Sequence, residues 1–262
     1  MPGTSVEVLR PRQLGGLKII KAKERPPHMN ILIYGESGVG KTRLAGSADS
    51  VPRMRRVLVV DLEGGTLTLE QNNPDVDIIR VKTWAEMQAV YDALYAGDHD
   101  YETVIIDSLS EVQKFNMYDV MKNRVDTSSA NIDIDAPDMR AWGINLEQMR
   151  KFVRAFRDLP VNTIFTALMK DDKDKKTGLS IKKPNLSGKL ASEVAAFLDI
   201  VVYMYMKEVD GEQTRLLLSA ATDDVVAKDR TGKLPVVMLN PTMETIIDLI
   251  EGKAKVEEAA EA

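Results

Sequence analysis

The stretch Gly35-Glu36-Ser37-Gly38-Val39-Gly40-Lys41-Thr42 decides the fold class of this sequence. It fits the pattern G-x-x-x-x-G-K-[ST], with an apolar strand candidate, Asn30–Tyr34, before it and a helix candidate, Thr42–Asp49, after it. Glycine permits backbone angles that are closed to other residues, so successive amide N–H groups can point at phosphate oxygens. In this context the pattern predicts a phosphate-binding loop, and a glycine-rich surface turn is the alternative.

The last two residues of this phosphate loop, residues 35–42, have the most specific predicted roles. Lys41 is expected to neutralise the β- and γ-phosphates, and the Thr42 hydroxyl is expected to bind magnesium. The helix that follows directs the positive end of its dipole toward the anion. The loop therefore predicts binding of ATP with Mg²⁺, with every residue from Gly35 to Thr42 at the nucleotide.

Length and composition narrow the remaining possibilities. At 262 residues the chain is long enough for one large α/β domain and short for two. The absence of cysteine and the presence of only two histidines argue against disulfides and zinc, and leave magnesium held by oxygen ligands. No apolar run approaches the ~18 residues of a membrane span and no signal-like stretch opens the chain, so we expect a cytoplasmic protein without a membrane partner. The net charge of −5 restricts any nucleic-acid contact to a local surface.

Short β-rich runs alternate with helical segments between two polar ends. This alternation predicts an α/β fold with a mostly parallel sheet flanked by helices and a C-terminal antiparallel hairpin turning at Asp210-Gly211. We expect an N-terminal arm over 1–28, the main domain over 29–250 and a flexible acidic tail over 251–262. The strand candidates are Asn30–Tyr34, Val57–Asp61, Asp77–Val81, Thr103–Asp107, Asn162–Ala167, Ile200–Met206 and Thr214–Ser219. The helix candidates after the phosphate loop are Trp84–Ala96, Leu109–Arg124, Leu146–Asp158, Leu190–Phe197 and Met243–Ile250.

Two carboxylates follow apolar strands and are the candidates for chemistry beside the phosphate loop. Asp107 stands where a P-loop protein has its magnesium-holding Walker B aspartate, and capping of the helix at Leu109 is the alternative. Glu63 is the candidate general base, because water is a poor nucleophile at neutral pH. A solvated loop acid is the alternative for Glu63, and Asp61 and Glu111 are the competing bases.

The order of these pieces resembles the RecA-like recombinase core over residues 28–240. The phosphate loop is followed by Glu63 in Asp61-Leu62-Glu63-Gly64-Gly65, then by Asp107, then by Thr163-Ile164-Phe165-Thr166. The segment Pro184-Asn185-Leu186-Ser187-Gly188-Lys189, with Phe197-Leu198-Asp199 after it, is similar to the phage-encoded RecA-like ATPases associated with single-strand annealing.

The resemblance implies an ATPase with a RecA/RadA-type core that acts as a homo-oligomer, either a ring or a filament. It further implies binding of single-stranded DNA, a role in phage DNA recombination or repair in the host cytoplasm, and a single-strand-binding protein as a partner. Two rival functions remain open. One is a ring-helicase-type motor, and the other is an ATP-gated assembly switch that does not hydrolyse its nucleotide.

One position departs from the family. RecA-like proteins often have a glutamine, and the phage relatives often a histidine, where the fourth strand meets its loop. Here that position is Leu168, and Thr166 and Lys170 are the nearest polar residues. The resemblance therefore leaves the γ-phosphate sensor unassigned.

A lysine-rich segment follows the fourth strand. It has little apolar periodicity, which predicts a mobile basic loop able to follow a phosphate backbone. Interspersed aspartates and the absence of an aromatic residue leave a merely solvated loop as the alternative, while the resemblance favours DNA binding. Its lysines are Lys170, Lys173, Lys175, Lys176, Lys182, Lys183 and Lys189.

A second basic motif, Ala227-Lys228-Asp229-Arg230-Thr231-Gly232, lies near the end of the chain. It resembles the Lys-x-Arg-x-Gly finger of RadA-type and replicative-helicase ATPases, whose two cations reach the nucleotide of a neighbouring subunit. Cations brought in from outside the phosphate loop stabilise charge that develops on the γ-phosphate. The resemblance implies this catalytic role for Lys228 and Arg230, and an exposed basic turn is the alternative.

Overall fold

The computed structural model describes residues 13–15, 17–21, 28–127, 132–173 and 178–254. Most of the predicted arm (1–12, 16 and 22–27) and the last part of the predicted tail (255–262) lie outside these residues, as do Lys175 and Lys176. Within the arm, the described residues include a short antiparallel pair, β1 (Gln13–Leu14) and β2 (Leu17–Lys18).

A mixed sheet forms the centre of the molecule. Its strands in chain order are β3 (Asn30–Gly35), β4 (Val57–Asp61), β5 (Asp77–Arg80), β6 (Thr103–Asp107), β7 (Asn162–Lys173), β8 (Ser180–Pro184), β9 (Ile200–Val209), β10 (Glu212–Leu218), β11 (Lys228–Asp229) and β12 (Val237–Leu239). The strand order is β12-β10-β9-β3-β7-β6-β4-β5, with β11 paired to β9 and β8 paired to β7. From β9 to β5 the neighbours along this order are parallel, and β10, β12, β11 and β8 pair antiparallel.

Helices cover both faces of the sheet. They are α1 (Lys41–Gly46), α2 (Leu67–Asn72), α3 (Trp84–Ala96), α4 (Leu109–Thr127), α5 (Met139–Arg157), α6 (Leu190–Phe197) and α7 (Met243–Glu251), with a short 3₁₀ turn at Ser47–Ser50. Alternate residues of β3 face opposite layers: Leu32 and Tyr34 pack with α3 to α6, whereas Ile31 and Ile33 pack with α1, α2 and α7. Strands buried on both faces explain the nearly continuous apolar runs of the sequence.

The predicted α/β fold, with a mostly parallel sheet and an antiparallel addition after Asp210-Gly211, is confirmed. The prediction was wrong for the segment after the fourth strand. β7 continues to Lys173 and pairs with β8, so residues 170–173 and 180–184 form an antiparallel ladder rather than a mobile loop. α5 also begins seven residues earlier than the predicted Leu146, at Met139, because the Asp138 side chain accepts a hydrogen bond from the Ala141 N–H and caps the helix.

Gly35 joins β3 to the phosphate loop where two backbones approach closely. A Cβ atom at this position would overlap the carbonyl oxygen of Met204 on the neighbouring strand β9. Backbone atoms in a sheet cannot move aside as a side-chain tip can. The first glycine of the motif is therefore required by the packing of the sheet as well as by the loop.

Gly35→Ala is expected to lower the free energy of unfolding by about 1–3 kcal/mol, the usual cost of overpacking. The matched control is Gly143→Ala on the exposed face of α5, where a Cβ meets no atom within 4 Å. Alanine there is expected to stabilise the protein by about 0.5–1 kcal/mol, because it favours the helix. Denaturant unfolding of both variants measures the contrast, and equal effects would contradict the close approach at Gly35.

Candidate nucleotide-binding site

The phosphate loop connects the carboxyl end of β3 to α1. Gly38 and Gly40 have φ angles of 80° and 103°, in the left-handed region that favours glycine. Gly40 is the N-cap of α1, and its carbonyl accepts a hydrogen bond from the Leu44 N–H at 2.9 Å. The glycines of the motif thus allow the backbone path that the sequence predicted for a phosphate cradle.

Lys41 is buried at the start of α1. Its Nζ donates to the carbonyl oxygens of Gly35 at 3.2 Å and Glu36 at 2.6 Å, so the ammonium group lies back over the loop. Burial lowers the pKa of Lys41, while the negative charges of Asp107 and Glu63 oppose this lowering. The cation and the two predicted carboxylates therefore lie within one electrostatic environment.

Thr42 and Asp107 meet at the carboxyl edge of the sheet. The Thr42 Oγ1 donates to Asp107 Oδ2 at 2.7 Å, and Thr166 Oγ1 donates to Asp107 Oδ1. Magnesium binds oxygen ligands at about 2.0–2.1 Å in octahedral geometry, which puts adjacent ligands about 2.9 Å apart. The spacing of the Thr42 hydroxyl and the Asp107 carboxylate fits two such ligands, and water would supply the others because magnesium usually keeps several waters.

Glu63 lies on the loop after β4, at the same edge of the sheet. It is exposed, and the Ser108 hydroxyl donates a hydrogen bond to its Oε1. The loop is shaped by buried Asp61, whose Oδ1 accepts from the Glu63 N–H at 3.2 Å and the Gly64 N–H at 2.7 Å, while its Oδ2 pairs with Arg80 at 3.2 Å. Asp61 is thus engaged in holding the loop, which leaves Glu63 as the carboxylate directed by Ser108.

Glu111, the other competing base, lies in the first turn of α4. Its carboxylate pairs with Lys114 at 2.5 Å. This surface ion pair directs the group along its own helix. Glu63, by contrast, is bonded to Ser108, the residue next to the candidate magnesium ligand Asp107.

The end of β7 shows how the fold supplies polar groups near Leu168. Leu168 is level with Gly35 on the neighbouring strand β3, and its own N–H donates to Ser110 Oγ at 3.2 Å. Ser110 Oγ in turn donates to the carbonyl of Asn185 at 3.2 Å. Of the two nearest polar residues in the sequence, Thr166 bonds Asp107, whereas Lys170 Nζ donates to the carbonyl of Leu186 at 2.5 Å.

A buried network of amide side chains on α4 and α5 also contacts segment 185–187. Gln113 accepts a hydrogen bond from the Ser187 N–H at 2.8 Å and donates to Asn145 at 2.9 Å, and Asn145 also bonds Asn116 at 2.7 Å. The sequence analysis missed Ser110 and Gln113. Their spacing of three residues on α4 puts them on one helix face, but only the fold shows that segment 185–187 lies against that face.

A cavity of about 230 Å³ adjoins the phosphate loop at Gly40. Arg215 of β10 lies in its wall, where its Nε donates to the Val39 carbonyl at 3.2 Å. Arg43 and Asn240 add further polar groups. No local sequence signal pointed to the approach of Arg215 to the phosphate loop.

A model of the AAA domain family matches residues 28–231. This range includes the phosphate loop, Glu63 and Asp107, and it covers more than half of the chain. The chain belongs to the AAA domain family. No curated protein matches its sequence.

Two solved structures are similar to this AAA domain. A KaiC-like protein from the hyperthermophilic archaeon Pyrococcus horikoshii OT3 has 15% identity and a TM-score of 0.40, over 72% of this chain and 77% of that one. The flagellar accessory protein FlaH from Methanocaldococcus jannaschii has 13% identity and a TM-score of 0.45, over 80% of this chain and 84% of that one. At these identities the likeness concerns the fold alone.

The described lysines of the predicted DNA-binding segment differ in their surroundings. Lys182 pairs with Asp224 at 3.8 Å and Lys183 pairs with Asp172. Burial lowers the pKa of Lys170, which is turned toward the Leu186 carbonyl. Lys173 and Lys189 are exposed. Among the described lysines of this segment, Lys173 and Lys189 are therefore the best placed to contact a ligand.

The predicted fingers lie at the opposite edge of the sheet. Lys228 is level with Val201 at the start of β9, and its Nζ donates to three carbonyls at the end of α6, those of residues 195, 196 and 198, at 2.9–3.3 Å. Arg230 pairs with Asp199 at 2.7 Å. Both cations therefore bond within their own subunit, and their predicted action on the nucleotide of a neighbouring subunit stays a prediction.

No helix in the described ranges of the AAA domain is both long and apolar enough to cross a membrane.

Thr42→Val should weaken magnesium-dependent ATP binding, because valine keeps the shape of threonine and removes the hydroxyl that faces Asp107. Thr42→Ser keeps the hydroxyl and is the matched control. Equilibrium binding of a fluorescent ATP analogue, titrated with and without Mg²⁺, measures the effect. The expected loss for Thr42→Val is about tenfold or more with magnesium and little without it. A loss of equal size in both conditions would show that Thr42 is not a magnesium ligand.

Proposed function

We propose that this AAA domain is a magnesium-dependent ATPase of the RecA-like class. The observation that carries the proposal is the convergence at one sheet edge of the Lys41 cation, the Thr42–Asp107 oxygen pair and the Glu63 carboxylate. The carboxyl edge of a parallel sheet is the usual ligand-binding edge of such folds. Family membership supports nucleotide binding.

Each residue has a separate part in the proposed reaction. The amides of the phosphate loop and Lys41 hold the β- and γ-phosphates and stabilise the charge that passes to the leaving group. Thr42 and Asp107 would hold magnesium, which would neutralise part of the phosphate charge. Ser108 holds Glu63, and Glu63 accepts the proton of the attacking water as the water oxygen bonds to the γ-phosphorus. The bond between that phosphorus and the β–γ bridging oxygen breaks in the same step, with ADP as the leaving group. Thr166 holds the Asp107 carboxylate in place from the strand between β3 and β6.

Glu63→Gln should retain ATP binding and lose about 10²-fold or more in turnover, because the amide cannot accept the proton of the water. Glu111→Gln is the matched control and should keep nearly full activity. Steady-state ATPase assays and equilibrium binding on the same preparations give the measurement. Full activity of Glu63→Gln would contradict its role as the base. Tight ATP binding without turnover in the unaltered protein would favour an ATP-gated assembly switch.

We further propose that the ATPase acts as a homo-oligomer on single-stranded DNA, in phage recombination or annealing. Support for DNA binding comes from the lysine-bearing ladder of β7 and β8 and the segment that follows it, which begin at the same sheet edge as the phosphate loop. Lys173 and Lys189 are its exposed described cations, and Lys175 and Lys176 continue the series in sequence. A basic surface of this kind follows a phosphate backbone without reading bases.

Replacing Lys173 and Lys189 with Ala should weaken binding of single-stranded DNA and reduce the magnitude of its salt slope by about 1.4, if each lysine contacts one phosphate. Lys182 and Lys183 are the matched pair, since Asp224 and Asp172 already neutralise them, and their replacement should change the slope less. Fluorescence anisotropy with a labelled oligonucleotide over a range of salt concentrations gives the slopes. A larger change in the Lys182/Lys183 variant would contradict the proposed surface, and ATP-dependent unwinding of a forked duplex by the unaltered protein would favour the ring-helicase alternative.

A further inference from the structure

A second cationic site lies far from the nucleotide site. Its cleft, which we call the arginine cleft, has a volume of about 420 Å³ and is lined by His28, Arg53, Arg55, Arg56, Glu102 and Asn162. These residues lie at or just before the amino ends of β3, β4, β6 and β7. The phosphate loop lies beyond the carboxyl end of β3, so the length of a six-residue strand, about 20 Å, separates the two sites.

The arginine cleft is positive in a protein of negative net charge. Of its three arginines, Arg53 pairs with Glu251 at 2.7 Å, which leaves Arg55 and Arg56 facing the Glu102 carboxylate of the cleft wall, whereas the whole chain has a net charge of −5. Burial lowers the pKa of His28, although the charge of Glu102 opposes the change. At neutral pH the cleft therefore contains a net excess of guanidinium charge and a neutral imidazole that can still donate or accept a hydrogen bond.

The contacts of Arg55 and Arg56 leave these two cations available to a ligand. Arg56 pairs with Asp100 at 2.7 Å, but the two side chains are 54% and 70% exposed, and its distance to Glu102 is 3.9 Å. Exposed pairs of this kind contribute about 0–1 kcal/mol, so an anion with better geometry can replace them. Arg55 bonds only weakly to its surroundings, with its Nε 3.3 Å from the carbonyl oxygen of Asp49.

Apart from Glu102, the acids near Arg55 and Arg56 lie on the other side of these two arginines. Arg55 and Arg56 separate the arginine cleft from a second cleft of about 600 Å³ whose wall includes Asp49, Asp75 and Asp100. An anion is repelled from that second cleft and attracted to the first. The two arginines therefore define one side on which a negatively charged ligand can bind.

The backbone conformation of Arg56 is an independent observation. Arg56 has a φ of 66°, and the other non-glycine residues with positive φ among those described are Asp210 and Asn240. Asp and Asn tolerate this conformation, whereas for arginine it costs about 1–2 kcal/mol. The Asp49 carboxylate and the Glu102 N–H hold the Arg56 backbone by hydrogen bonds of 3.3 and 3.1 Å. Glycine would adopt this turn without strain, so the presence of arginine indicates a use for its side chain.

We propose that the arginine cleft binds a phosphate group through the guanidinium groups of Arg55 and Arg56. A guanidinium presents a planar fork of N–H donors that matches two phosphate oxygens, and His28 lies on the cleft wall, where it can contact a remaining oxygen. The phosphate can come from a small anion or from the backbone of a nucleic acid. Binding here does not depend on the ATPase activity proposed above, because the two sites lie at opposite edges of the sheet.

The test follows the imidazole NMR signal of His28 in the full-length protein. Because the chain has only two histidines, His99 serves as the internal reference. Inorganic phosphate and an oligothymidylate are titrated separately into the Lys41→Ala variant, in which the phosphate loop is disabled as a competing anion site. A saturable shift of the His28 signal is expected. A shift with inorganic phosphate identifies a small-anion site, and a shift with the oligonucleotide alone identifies a site for nucleic-acid backbone.

Arg56→Gly separates the ligand role from a structural one. Glycine removes the guanidinium and the backbone strain together, so affinity should fall about tenfold or more while the melting temperature stays equal or rises. Arg56→Lys keeps the charge without the fork and should bind with intermediate affinity. Arg157→Ala, at a half-buried arginine paired with Asp158, should change neither affinity nor the His28 signal. No His28 shift with either anion, unchanged affinity in Arg56→Gly, or a lower melting temperature of that variant would overturn the proposal.

Discussion

The hydrogen bond between the Thr42 hydroxyl and the Asp107 carboxylate joins the two halves of the nucleotide site. Its partners come from segments 65 residues apart, and the strands that carry them, β3 and β6, are not neighbours in the sheet. β7 lies between them and contributes Thr166 to the same carboxylate. The site therefore depends on the strand order, because an order that put β6 farther from β3 would separate the hydroxyl from its carboxylate.

Different groups lie at the two edges of the sheet. At the carboxyl edge, the ends of the strands and the loops after them bring together a cation, a hydroxyl and two carboxylates, the groups used in the proposed phosphoryl transfer. At the amino edge, Lys228 and Arg230 cover the end of α6, and the arginine cleft opens beside β4. This separation explains why the second basic motif does not approach the phosphate loop of its own subunit.

The lysine-rich segment shows how local sequence reasoning failed. Interspersed aspartates and lysines have neither helical nor strand periodicity in apolar residues, so the segment read as a loop. In the fold, these charges pair across the antiparallel ladder of β7 and β8, as Lys183 does with Asp172. Because charged residues that pair between the two strands take the place of apolar ones, the segment lacks the apolar alternation by which a strand is recognised. Leu168 is a similar case, because the polar groups beside it come from Ser110 and segment 185–187, which are distant in sequence.

The sequence by itself determined the motif of the phosphate loop and the parallel strands around it, and it predicted the residues at the nucleotide, since all of these depend on short-range patterns. A glycine motif between a strand and a helix, and an acid at the end of an apolar run, keep their meaning in any P-loop fold. Only the tertiary structure decided that Asp61 holds its loop through Arg80 whereas Glu63 is bonded to Ser108, because both acids have the same local setting. It alone also brought Arg215 to the loop and gathered the arginine cleft, since contacts between distant segments depend on strand order and packing rather than on spacing along the chain.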